Sequence, residues 1–345
     1  MRLLRPLSLA VAATVVVTLA ACSPGPATST EAVDVPPAED GAFPVTIEHA
    51  FGETTITEQP VRVATVAWAN QEVPLALGIV PVGMAEVTWG DDDGDGVLPW
   101  VEERLEELGA ETPVLFDETD GINFEAVNDV APDVILAAYS GLTQEEYDTL
   151  SKIAPVIAFP EVAWSTSLEQ LIGFNAAALG FPAAGDALID DLHAEIETAM
   201  EANEGLAGQS VLFSYLDPAD LSQVGFYTAL DPRAGFLLDS GFTEPTVVTE
   251  ESEGTDLFYA TVSAEQADRF ADVDIIVTYG DDAAATIAAF QADPLLSQIP
   301  AIAAGRVAVL QNGTPLSAAA TPSPLAISWS IADYFALLAA AAQAG

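Results

Sequence analysis

Gly121-Ile122-Asn123-Phe124-Glu125 leads through Ala131-Pro132-Asp133-Val134-Ile135-Leu136 to Tyr139, and Thr261-Val262-Ser263-Ala264-Glu265 leads through Ala271-Asp272-Val273-Asp274-Ile275-Ile276-Val277 to Tyr279. In each stretch an Asn or Ser stands two residues before a glutamate, where its side-chain oxygen can take a first-turn backbone N–H and open a helix. A buried β-branched strand follows, and a tyrosine stands at its carboxyl end. The same helix–strand unit in two copies predicts two α/β lobes of related plan.

Outward from the first copy, strands at Val61–Ala67, Ile79–Met84, Pro113–Phe116, Asp133–Ala138 and Pro155–Phe159 alternate with helical stretches Asn70–Leu77, Val101–Leu108, Phe124–Val130 and Thr143–Ile153. Such alternation argues a parallel sheet covered on both faces. Ala183 to Glu204 is the longest helical pattern, with Leu188, Leu192, Ile196 and Met200 on one stripe and Gly205 as its stop. Beyond it the alternation restarts at Ser210–Tyr215 and runs through Ala234–Leu238, Thr246–Val248, Ala264–Phe270, Asp274–Thr278, Ala283–Phe290 and Arg306–Leu310 to a closing helix from Leu325. The expected layout is an N-terminal lobe over 43–182, a bridging helix over 183–205 and a C-terminal lobe over 206–345. Ligands of open α/β sheets sit beyond the carboxyl ends of the strands. Trp68, Tyr139, Tyr215 and Tyr279 collect there, which favours a pocket between the lobes.

The N-terminus has a basic start (Arg2, Arg5) and an apolar run from Leu7 to Ala20, a secretory signal over 1–21 too short to span a bilayer. Leu19-Ala20-Ala21-Cys22 resembles a lipoprotein processing site, in which Cys22 is acylated and becomes the new N-terminus; an ordinary signal cleavage beside an incidental cysteine is the alternative. Residues 22–42, rich in Ser, Pro, Thr and Ala, read as a flexible tether. The expectation is a protein exported and lipid-anchored to the outer face of the cell membrane. Lys+Arg is 8 against Asp+Glu 53 in 345 residues. Without Arg2 and Arg5, the chain from Cys22 carries 6 basic against 53 acidic residues, or −47, a field that excludes nucleic acid and anionic lipid as partners. One cysteine excludes a disulfide scaffold, and two distant histidines, His49 and His193, supply a metal centre or catalytic triad poorly.

Several motifs then occur in order. His49-Ala50-Phe51-Gly52-Glu53-Thr54-Thr55-Ile56 with Gln59-Pro60-Val61-Arg62-Val63 is similar to an opening hairpin and first strand. Leu75-Ala76-Leu77-Gly78-Ile79-Val80-Pro81-Val82-Gly83, Asn123-Phe124-Glu125, Ile153-Ala154-Pro155-Val156 and Gly305-Arg306-Val307 follow. Together, residues 43–345 resemble the iron-siderophore and cobalamin class of substrate-binding proteins of ABC transporters. The resemblance implies two Rossmann-like lobes bridged by a single long helix, and no enzyme activity: the cleft captures a ligand and delivers it to a permease. It carries the two permease-docking glutamates onto Glu125 and Glu265, whose alternative role is helix capping. It carries the pocket aromatics onto Trp68, Tyr139 and the Phe258-Tyr259 pair, with Trp164 a further candidate for pocket or core.

Charge narrows the ligand. The mature chain has Arg62, Arg104, Lys152, Arg233, Arg269 and Arg306 as its only cations, and Arg233 alone sits in a loop positioned to face the cleft. A single Arg suits a neutral hydroxamate complex better than a polyanionic catecholate, and the overall field favours a cationic ferrioxamine-type complex. Cobalamin and haem remain alternatives of the same fold; a secreted enzyme is disfavoured by the lack of nucleophile-elbow and dinucleotide motifs. Iron enters only within the bound ligand, no other cofactor is expected, and the protein is expected to act as a monomer. Asp91-Asp92-Asp93-Gly94-Asp95-Gly96 with Glu102 also satisfies the EF-hand pattern, so Asp91, Asp93, Asp95 and Glu102 are candidate ligands of a structural Ca2+; Pro99 and Trp100 interrupt that loop and argue against it, and a plain acidic surface loop is the alternative.

Overall fold

The computed structural model describes residues 35–216, 220–255 and 257–344; the signal segment, Cys22 and the tether up to residue 34 lie outside the described residues. The described chain opens with an antiparallel hairpin, β1 (Val45–His49) and β2 (Gly52–Ile56), whose alternation buries Ile47, His49, Thr54 and Ile56 and exposes Thr46, Glu48, Glu53 and Thr55. The first lobe then follows: β3 (Val63–Thr65), α1 (Glu72–Ala76), β4 (Gly83–Ala85), α2 (Pro99–Leu108), β5 (Val114–Phe116), α3 (Phe124–Asp129), β6 (Val134–Leu136), α4 (Gln144–Leu150) and β7 (Val156–Ile157). These strands make a five-stranded sheet in the order β5-β4-β3-β6-β7, parallel throughout. Its middle strands are buried on both faces, which is why their sequences read as continuous apolar runs.

Two helices lead out of this lobe, α5 (Leu168–Leu179) and α6 (Pro182–Ala202). Pro182 sits at the first turn of α6, where its missing N–H costs nothing, and Leu192, Ile196 and Ala199 form its buried stripe. The second lobe contains β8 (Val211–Tyr215), β9 (Gln223–Tyr227), α7 (Pro232–Asp239), α8 (Thr246–Ser252), β10 (Tyr259–Ser263), a 3-10 segment at Ala264–Phe270, β11 (Ile275–Gly280), α9 (Ala283–Ala292), α10 (Pro300–Ala304), β12 (Val307–Gln311), α11 (Pro315–Ala319) and α12 (Pro324–Ala342). Its sheet order is β10-β9-β8-β11-β12.

Here the alternation rule gives an incomplete picture. β8, β11 and β12 are parallel, but β9 runs antiparallel to both β8 and β10. The connection from β8 to β9 is too short for a parallel crossover, so β9 pairs with β8 in the antiparallel sense. The segment after Ser263 is a 3-10 helix kinked at Gln266 rather than an α-helix. The repeat nevertheless occupies matching places: β6 lies beside β3 in one sheet, and β11 beside β8 in the other. Asn123 accepts from the Ala126 N–H at 3.1 Å, and Ser263 from the Glu265 N–H at 3.3 Å.

One apolar core runs from Val73, Tyr139 and Ile172 through Leu192 and Ile196 to Phe213, Val277 and Phe335, so the lobes share it across α6 and α12. Although α12 is long and apolar enough to cross a membrane, half of that apolar window is buried as core. Its N-terminus is held by Glu72 of the first lobe. That carboxylate, fully buried, accepts from Leu325 N (3.0 Å), Ala326 N (3.2 Å) and the Trp100 indole (2.8 Å). Burial pushes the Glu72 carboxyl up despite these bonds.

Candidate functional site

Between the carboxyl ends of β3, β6, β8 and β11 lies a cleft of about 380 Å3, within the usual range of small-molecule sites. Trp68, Tyr139, Trp164, Tyr215, Arg233 and Tyr279 all line it. So do Trp89, Asn312, Ser317, Ala318 and Thr321, which the sequence reading missed. Trp89 follows β4 as Trp68 follows β3, so the strand-end rule could have found it.

The first-lobe wall is built by backbone geometry. Trp68 is flanked by Ala67 and Ala69, both with positive φ (60° and 61°), a conformation that costs an L-residue of order 1 kcal/mol or more. Fixed polar partners hold this bend. The Glu118 carboxylate accepts from Ala67 N at 3.0 Å, while its other oxygen is buried without a partner. Burial, and then the Glu146 charge against the Ala67 bond, raise its pKa to about 7. The fully buried Asn70 donates to the carbonyls of Val66 (2.9 Å), Trp68 (3.2 Å) and Tyr139 (2.9 Å) and accepts from Tyr139 N (3.1 Å), tying the two aromatic strand ends together. Trp164 lies edge-on to Tyr139, ring centroids 5.3 Å apart. Its indole covers Gly141, where any Cβ would collide with the ring, so glycine is required there by close approach. Trp164 and Trp89 keep 39% and 41% of their surface exposed, which leaves faces for a ligand.

The second-lobe wall is an aromatic stack around one cation. Asp231 caps α7, accepting from Arg233 N at 3.0 Å. The same carboxylate takes the guanidinium in a fork, Nε to Oδ1 at 2.8 Å and Nη2 to Oδ2 at 2.7 Å. The guanidinium carbon lies 4.0 Å over the Tyr227 ring, and Nη1 donates to the Tyr279 hydroxyl at 3.4 Å. Burial opposes the charge of Arg233, but Asp231 outweighs it and keeps the group protonated. Burial likewise holds the Tyr139 and Tyr279 phenols above their ordinary range, so both are neutral hydrogen-bonding groups. The other arginines among the described residues are engaged elsewhere: Arg62 on Val130 O, Arg104 on Glu107, Arg269 on Glu250 and Glu251, and Arg306 beside Asp274.

Phe258 and Tyr259 are not among the cleft-lining residues: Tyr259 opens β10, the far edge strand of its sheet, and Phe258 precedes it. Tyr259 instead packs on Tyr227 (5.1 Å) and over Gly225, and its hydroxyl donates to Tyr215 O at 3.4 Å. The histidines lie off the cleft as well: His49 bonds Thr54 in the hairpin, and His193 pairs with Glu169. A larger cavity of about 770 Å3 between α5, α6 and α7 has Glu169, His193 and Asp239 on its walls but no Trp or Tyr, and so lacks the stacking surfaces of the cleft. In the acidic loop the carboxylates of Asp91, Asp93 and Asp95 converge within 4.8 Å, and Glu102, in the first turn of α2, stands outside that group. No helix enters this loop, and Asp91 is occupied by the backbone N–H groups of Asp93, Gly94 and Gly96. Glu125 and Glu265 stand exposed in the first turns of their helical segments, and neither carboxylate bonds another group among the described residues.

Residues 63–313 match the family described as periplasmic binding protein. Among solved structures, Streptococcus pneumoniae TIGR4 PiaA in complex with ferrichrome is 46% identical, covering 87% of this chain and 100% of that one with a TM-score of 0.83. Staphylococcus aureus SirA complexed with staphyloferrin B shares the fold at 19% identity, covering 85% of this chain and 98% of that one with a TM-score of 0.63.

 A Bacillus subtilis protein described as "probable siderophore-binding lipoprotein YfiY" is 31% identical over 128 residues, which is 36% of this chain and 36% of that protein's length.

Proposed function

The chain belongs to the periplasmic binding protein family, and on that premise we propose that its aromatic cleft captures a ferric siderophore for an ABC importer, with a hydroxamate complex the favoured ligand. The observation that carries this reading is the cleft itself: indole and phenol faces from both lobes surround a single guanidinium whose charge is already met by Asp231. Rings of this kind stack on the apolar envelope of a chelated iron, and neutral phenols and one N–H edge suit its oxygen rim. PiaA, the relative in complex with ferrichrome, supports the same ligand class.

Delivery follows from the two lobes. Glu125 and Glu265, one on each lobe and both without a carboxylate partner among the described residues, are proposed to meet cationic residues on the two permease subunits. The protein is proposed to act as a monomer tethered through acylated Cys22 to the outer face of the membrane; the description of YfiY as a lipoprotein supports the tether. The test is a titration of the mature protein, followed by tryptophan fluorescence, against ferrichrome, ferrioxamine, catecholate, citrate, haem and cobalamin complexes. Saturable quenching by a ferric hydroxamate is expected, and a response confined to haem or cobalamin would overturn the proposal.

A further inference from the structure

Among the described residues that line the cleft there is one cation, Arg233, and no acid. The counter-charge lies just behind the wall. The Asp231 side chain is 4% exposed and that of Arg233 19%, and the two meet in a two-point fork. Asp231 is itself fixed as the N-cap of α7, with Pro232 at the next position, so the fork is anchored by the backbone. Tyr227 lies under the guanidinium, leaving Nη1, the nitrogen that reaches the Tyr279 hydroxyl, as the edge turned from Asp231.

Resting on the reading of the cleft as a siderophore site, we infer that Asp231 is its specificity-determining residue. It acts through Arg233: by closing the ion pair it makes the wall close to neutral, so the site accepts an uncharged iron complex and rejects polyanionic ones. A polyanion would have to compete with a preformed, poorly solvated carboxylate for the same guanidinium, whereas a neutral complex needs only the free edge and the rings. Asp231 is a positioning residue in this account and touches no ligand.

The experiment uses the mature protein with Asp231→Asn and Asp231→Ser, both of which keep an N-cap acceptor, and with Asp231→Glu. Ferrichrome, a neutral trihydroxamate, and a trianionic ferric tris-catecholate are titrated at 50 and 500 mM NaCl. Removing the carboxylate should raise catecholate affinity relative to ferrichrome affinity by about tenfold at low salt, with the gain shrinking at high salt. Asp231→Glu should keep the wild-type preference. A ligand-free readout accompanies these: iodide quenching of the cleft tryptophans, relative to neutral acrylamide, should rise about twofold in Asp231→Asn. An unchanged ligand preference, or an equal loss for both complexes, overturns the inference and leaves Asp231 as a helix cap. Should the wild type bind neither complex, the siderophore reading fails and the iodide ratio alone decides whether Asp231 sets the charge of the wall.

Discussion

Glu118 makes a quantitative demand on the fold behind the cleft. Its folded pKa is raised from 4.5 to about 7, chiefly by burial, with one oxygen on Ala67 N and the other without a partner. Between pH 4.5 and 7 the folded protein therefore holds a proton that the unfolded chain releases. By linkage, stability falls as pH rises through this window; the contribution is fully present below 4.5 and lost above about 7. At about 1.4 kcal/mol per pH unit, the interval corresponds to roughly 3 kcal/mol. Glu118→Gln keeps an acceptor for Ala67 and removes the titration. Glu72, also raised by burial, titrates in the same direction in both proteins and cancels in the comparison. Urea unfolding of wild type and variant from pH 5.0 to 8.5 is the assay. The variant should be more stable by about 2–3 kcal/mol at pH 8, and the difference should shrink toward pH 5. Parallel stability curves would refute the assignment of a buried, under-bonded carboxyl at this bend.

Trp164→Ala should weaken ferric hydroxamate binding by about tenfold or more, the combined loss of stacking and burial, with titration of folded variant as the check. Glu125→Arg combined with Glu265→Arg should abolish ligand uptake by cells while solution affinity stays within about threefold; normal uptake would remove the docking role. Cys22→Ser should release the protein from the membrane fraction, and unchanged retention with no lipid mass on Cys22 would remove the anchor.

The repeat was legible because it is local. Asn123 and Ser263 bond N–H groups two or three residues away, and β6 and β11 are apolar runs buried in their sheets. Strand ends named Trp68, Tyr139, Tyr215 and Tyr279 by the same logic. What the sequence concealed was set by distance or by edges. β9 and β10 carry partly exposed, interrupted patterns, and their pairing depends on the short return from β8. Tyr259 consequently opens the outer strand β10, with Phe258 just before it. Asn70 and Glu118 owe their roles to partners 69 and 51 residues away, which no local pattern reveals. Asp231 was within reach, since Asp followed by Pro is a helix-start signal two residues before Arg233; weighing cations singly hid the pair.

The most direct test of the central claim is isothermal titration calorimetry of the mature domain with ferrichrome, in parallel with the iron-free ligand. The account predicts one site per chain, a Kd below about 1 μM for the ferric complex, and at least tenfold weaker binding of the open, iron-free chain, which cannot present a compact envelope to the rings. Absence of binding heat with ferrichrome and other ferric hydroxamates, alongside tight binding of a polyanionic catecholate, would contradict it.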